Sequence, residues 1–145
     1  MKAFSSTIQM VLTPSRSRRE HPANAPLLIE VKPDSLPFTA VAVLSAKLGV
    51  NPPLLLDVIG MPERTATRRR QEGFLKADEA DRLLRVARIF EEAVRVFGTE
   101  EKAGGWLASV SPMLYGFAPF RLLDSDAGAQ AVSEELVRID FGDFA

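Results

Sequence analysis

Apolar positions recur along most of this chain at intervals of three and four residues, the period of helices rather than strands. Phe38, Val41, Ser45 and Leu48 share one face with Leu44 beside it, and Gly49 stands where a C-terminal cap belongs. Asn51-Pro52 reads as an N-cap and first helical position. Leu54, Leu55, Val58 and Ile59 supply the apolar face of that second short helix, and Gly60-Met61-Pro62 turns the chain into a third, closed by Gly73. The widest apolar stripe covers 76–97, with apolar residues at 80, 83, 84, 86, 87, 89, 90, 93, 94, 96 and 97. Such width predicts burial on two sides, against the preceding helices and against a second domain or subunit. Its other face carries acid-first pairs four residues apart: Asp78 with Arg82, Asp81 with Arg85, Glu91 with Arg95.

Thr99 is expected to cap the next helix, where Ala103, Trp106, Leu107 and Val110 fall on one face. Gly104-Gly105 weakens that helix and predicts the close approach of another backbone. Ser111-Pro112 ends it, 119–124 make a short helical turn, and 128–141 form the last helix around Val132, Leu136 and Ile139. Asp124 and Asp126 are expected to cap its start, and Gly142 its end. Residues 1–26, rich in Ser, Thr, Pro and Arg, read as a flexible arm, and Leu27 to Val31 as a short strand or an extended segment. The predicted fold is all-α: an arm over 1–26, a helix-turn-helix region over 27–75, a connecting helix over 76–98 and a small helical domain over 99–145.

The helix after Gly60 breaks the pattern. In Arg64-Thr65-Ala66-Thr67-Arg68-Arg69-Arg70-Gln71-Glu72 almost the only apolar residue is Ala66. Burial alone cannot hold such a helix, so a polar partner outside the core is expected to require it. Four arginines and two hydroxyl side chains on about two turns suit DNA phosphates and base edges. Arg64, Thr65, Thr67 and Arg68 are assigned to bases or nearby phosphates, and Arg69 and Arg70 to phosphates or intramolecular pairs.

Charge divides along the chain in the same sense. Residues 1–98 carry 15 basic and 11 acidic side chains, residues 99–145 carry 3 and 8. The first part can approach nucleic acid, and the second suits a protein partner. Chemistry of its own is not expected. The single histidine, His21, has no clustered ligands, cysteine is absent, and Glu91-Glu92 and Glu134-Glu135 diverge as neighbours on a helix must. No metal, no cofactor and no enzyme activity are predicted. No apolar run approaches the roughly 20 residues of a membrane span, and a cytoplasmic location is expected.

Two stretches resemble a known family. Arg64-Thr65, Arg68 to Arg70, Gly73, Leu75, Glu79, Asp81 to Leu83, Arg85, Ala87-Arg88 and Phe97-Gly98 resemble the recognition and linker region of Xre-type antitoxins. Trp106-Leu107, Pro112, Leu114, Gly116, Pro119, Leu122-Leu123, Gly128, Val132, Leu136, Arg138-Ile139 and Gly142 resemble the Xre/MbcA/ParS toxin-binding domain. Ser111 stands where that family often has Asn, and Tyr115-Gly116-Phe117 replaces a more usual Gly-Gly.

The resemblance implies an antitoxin of a type II toxin-antitoxin system. It would neutralise a co-encoded RES-type toxin that degrades NAD and repress its own operon through operator DNA. Tyr115, Arg138, Asp140 and Phe141 are the expected toxin contacts, with Trp106 either a partner anchor or part of the core. The acidic end Asp143-Phe144-Ala145 either plugs the toxin's dinucleotide pocket or is simply a frayed terminus. A homodimer is expected, with the apolar face of 80–97 as its interface. The alternative is a free-standing transcriptional repressor whose C-terminal domain only dimerises.

Overall fold

The computed structural model describes residues 36–142, so the predicted arm, the strand or extended segment at Leu27 to Val31, and Asp143-Phe144-Ala145 lie outside the described residues. Six α-helices follow one another: α1 (Thr39–Leu48), α2 (Pro52–Val58), α3 (Glu63–Glu72), α4 (Ala77–Phe97), α5 (Glu100–Ala108) and α6 (Asp126–Asp140). Two 3-10 turns, Pro112–Leu114 and Pro119–Asp124, lie between α5 and α6. Among the described residues there is no strand, only single bridges between Pro37 and Phe74 and between Ser111 and Phe117. The fold is all-α, and no single described helix is long and apolar enough to cross a membrane.

The caps explain most boundaries. Gly49, Gly73 and Gly98 close α1, α3 and α4 in the left-handed conformation that glycine tolerates. Thr99 Oγ1 accepts from Lys102 N–H at 3.1 Å and opens α5 as expected. At α6 the expectation is corrected. Neither Asp124 nor Asp126 caps the helix, which begins at Asp126 because Ser125 Oγ accepts from Gly128 N–H at 3.0 Å. Asn51 occupies the N-cap of α2, with no hydrogen bond from its side chain.

One core joins the whole described chain. Leu36, Leu44, Leu55, Ile59, Leu75, Leu83, Phe90, Leu107, Leu123 and Leu136 all belong to a single buried cluster. Helix α4 runs through its middle, packed against α5, α6 and the second 3-10 turn, with α1 also in contact. The two-sided burial read from the sequence is present, and both sides are filled by this chain itself. Ala80, Leu83, Val86, Ala87, Phe90 and Ala93 are fully buried within it, so the face expected to serve a homodimer is already occupied. A dimer would have to use another surface.

Helix α5 packs across α1 because of one glycine. A Cβ on Gly104 would lie 2.6 Å from the Leu48 carbonyl oxygen, so only glycine lets the two backbones meet. Gly105 faces open space and has no such reason. Polar bonds cross this junction and others. Lys47 Nζ meets Glu100 at 2.5 Å, Arg82 Nε donates to the Ile59 carbonyl at 2.7 Å, and Arg121 reaches Asp57 at 3.3 Å. Arg85 turns away from its expected partner Asp81, donating to Asp126 at 2.7 Å and to the Leu123 carbonyl at 3.3 Å. Arg82 keeps the expected Asp78, at 3.5 Å.

Candidate functional site

Helices α2 and α3 are joined by a turn in which Gly60 adopts φ +69°, Met61 is buried, and Met61 N–H donates to the Leu56 carbonyl at 2.9 Å. The turn aims α3 so that Ala66 and Arg69 face inward. Arg64, Thr67, Arg68 and Gln71 follow i, i+3, i+4, i+7 spacing, fall on the opposite face, and are all exposed. Thr65 flanks that face half-buried. Arg70 flanks its other side, exposed, with its guanidinium 5.1 Å from the centre of the Phe38 ring. Gln71 was not singled out by residue type, although its spacing from Arg64 carries the signal.

Of the two readings of Arg69, phosphate contact or intramolecular pair, the structure supports the intramolecular one. Arg69 is only 5% exposed and makes a two-pronged bond to Glu79, Nε to Oε1 at 2.7 Å and Nη2 to Oε2 at 3.0 Å. Glu72 adds a contact at 3.3 Å. Arg69 is therefore not a DNA contact, because its guanidinium is committed inside the fold. The polar partner that an apolar-poor helix needs lies within the chain, on the first turn of α4.

Glu79 is equally committed, since its Oε1 also accepts the Lys76 N–H at 2.8 Å. Burial pushes its carboxyl up, but the Arg69 bonds, the Lys76 N–H and the Arg69 charge together outweigh that and hold it below the ordinary range. The bond to Glu79 is also what chiefly raises the Arg69 pKa, against the opposing pull of desolvation.

The second surface lies in the acidic half. Trp106 is half-buried with its ring 5.5 Å from that of Phe97, so of its two readings the core one describes it better. Arg138 pairs with Glu135 at 2.5 Å, leaving it partly exposed. Asp140 and Phe141 end α6, exposed, Phe141 by 82%. Val110, expected on the apolar face of α5, lies beyond the end of that helix and is exposed. Tyr115 is exposed too, at φ +61°, a left-handed backbone that costs a non-glycine residue about 1–2 kcal/mol. Met113 and Phe117 beside it are exposed as well, which residue type alone does not reveal, because it does not separate a displayed apolar residue from a core one. Among the described residues no group of three or more His, Cys, Asp or Glu could hold a metal ion.

Two family models match the chain: the antitoxin Xre-like helix-turn-helix domain over residues 28–88, and the antitoxin Xre/MbcA/ParS C-terminal toxin-binding domain over residues 92–142. Curated relatives include proteins named Antitoxin Xre from three bacteria. That of Yersinia enterocolitica is 32% identical over 63% of this chain and 63% of its own length. That of Pseudomonas putida is 37% identical over 65% and 59%, and that of Photorhabdus laumondii 28% identical over 91% and 97%. The match thus spans less than two thirds of the first two relatives, and nearly the whole of the third. With one model on the segment that displays Arg64 and Arg68 and the other on the segment that displays Tyr115, the chain belongs to the Xre-type antitoxin family.

Proposed function

We propose that this chain is the antitoxin of a type II toxin-antitoxin pair. Its C-terminal segment binds and neutralises a co-encoded RES-type toxin that degrades NAD, and its helix-turn-helix represses the shared operon. The observation that carries this reading is the pairing of two matched segments around one core, one displaying cations and the other apolar side chains. Arg64, Thr67, Arg68 and Gln71 face DNA from the outer side of α3, with Thr65 and Arg70 at its flanks. Lys47, Arg82 and Arg121 tie the helix-turn-helix region to the later elements, so toxin and operator meet one packed unit.

The NAD chemistry belongs to the toxin, and this chain needs only to cover it. A pocket for a dinucleotide must be electropositive, and α6 leads through Asp140 and Phe141 into an acidic end suited to closing such a pocket. Removing residues 142–145 is expected to release toxicity while the complex survives; retained neutralisation would discard that role for the end.

The test of the whole reading is co-expression with the protein encoded beside this chain, followed by a mass measurement of the purified material. A stable complex that suppresses the neighbour's NAD loss supports it. A chain that elutes alone beside a harmless neighbour, yet binds its upstream DNA tightly, identifies a free-standing repressor instead.

A further inference from the structure

Half of the exposed large apolar residues among those described fall in one short loop: Val110, Met113, Tyr115 and Phe117. They belong to residues 103–120, the longest stretch of the chain without a charged side chain. Single exposed apolar residues are ordinary on a protein surface, but four in one loop mark a contact. The composition is that of an interface centre, which loses charge and gains aromatic residues and Met.

The loop is also shaped in advance. Ser111 N–H donates to the Phe117 carbonyl and Gly116 N–H to that of Ser111, each at 3.0 Å, while Phe117 N–H reaches the Leu114 carbonyl at 3.1 Å. Leu114 is buried beneath and fixes the loop to the core. Tyr115 is the only non-glycine residue with positive φ among the described residues, and it is 86% exposed. Glycine would suit that backbone better, so the ring stays there for something outside the fold.

We infer that residues 110–117 are the anchor through which this chain seats in its toxin, with Met113, Tyr115 and Phe117 entering an apolar recess rimmed by basic side chains. This rests on the antitoxin reading above. The matched toxin-binding segment encloses the loop, and its surroundings decide the rim: residues 99–142 carry 3 basic and 7 acidic side chains. DNA is a poor occupant, since an uncharged loop offers phosphates nothing. A second copy is also poor, because an isologous contact would set this acidic segment against its own like charge.

The test compares full-length chains co-expressed with the neighbouring protein. Tyr115→Gly suits the left-handed backbone, and Met113→Ser with Phe117→Ser removes the rest of the apolar surface. Tyr115→Gly is expected to melt no lower than the parent, yet to bind the neighbour about tenfold or more weakly, and the double variant to lose neutralisation. Variants that bind and neutralise like the parent would overturn the anchor and leave the antitoxin reading standing. A loop variant that only changes the oligomeric mass of the free chain would also overturn it, by assigning the loop to a second copy. If the parent itself ignores its neighbour, both readings fall together.

Discussion

Helix α3 and the loop 110–117 are built on opposite chemistry and follow one plan. The helix displays cations and is held from beneath by the Arg69–Glu79 pair, with Ala66 its only buried apolar side chain. The loop displays apolar rings and is held by its own backbone bonds and by Leu114. In each, the residues that anchor are not the residues that are shown. Displayed side chains relieved of structural duty can be tuned to a partner at little cost to the fold, Tyr115 with its left-handed backbone excepted, and a backbone ordered beforehand loses less entropy on binding.

The largest effect that separates the two surfaces is expected with DNA. Replacing Arg64 and Arg68 together by Ala should weaken binding to the upstream DNA about a hundredfold, since one good arginine contact contributes roughly 1–3 kcal/mol. In an anisotropy titration over a salt series the slope should also become shallower by about two units. Tyr115→Gly should leave both affinity and slope as they were. A loop variant that altered the salt slope would break the division of labour between the two surfaces.

The next effect concerns the junction between them. Gly104→Ala forces a methyl against the Leu48 carbonyl and should cost about 1–3 kcal/mol in a thermal or denaturant melt. Its neighbour Gly105 faces open space, so Gly105→Ala should stabilise α5 by up to about 1 kcal/mol. Adjacent glycines with effects of opposite sign would confirm that the backbone contact between α1 and α5 falls at Gly104.

The anchor of α3 predicts a dependence on pH. The Glu79 carboxyl lies below its unfolded value of about 4.3, so its contribution is present above that pH and fades as pH falls through the folded value. Acid melts of Glu79→Gln should therefore show a shallower loss of stability below about pH 4.3 than those of the parent. The pKa of Arg69 is raised, which keeps it charged throughout that range. The smallest effect is expected at Ser45, whose buried Oγ has no hydrogen-bond partner. Ser45→Ala should raise stability by about 0.5–1 kcal/mol and change neither binding surface.

Much of this was legible beforehand because it is local. Glycines at 49, 73 and 98 end helices through their own backbone freedom, and Thr99 caps through a neighbour three residues away. The stripe of α4 announced two-sided burial but not the identity of the covering partner. Four arginines in one helix look alike by type, and Arg69 differs only because the fold brings Glu79 beneath it. Val110 keeps the helical spacing, but α5 ends at Ala108 ahead of the Ser111-Pro112 break, so a residue that reads as core is displayed instead.

The helices, their punctuation, the segregation of charge and the family follow from the order of residues alone, since each depends on residues near in the chain or on a matching order of residue types. Which arginine faces inward, which glycine carries a backbone contact and which apolar residues remain outside were settled by the packing. Those outcomes depend on atoms from different elements, whose meeting is set by the packing of α1, α5 and α6 around α4 and of α2 and α3 beside them.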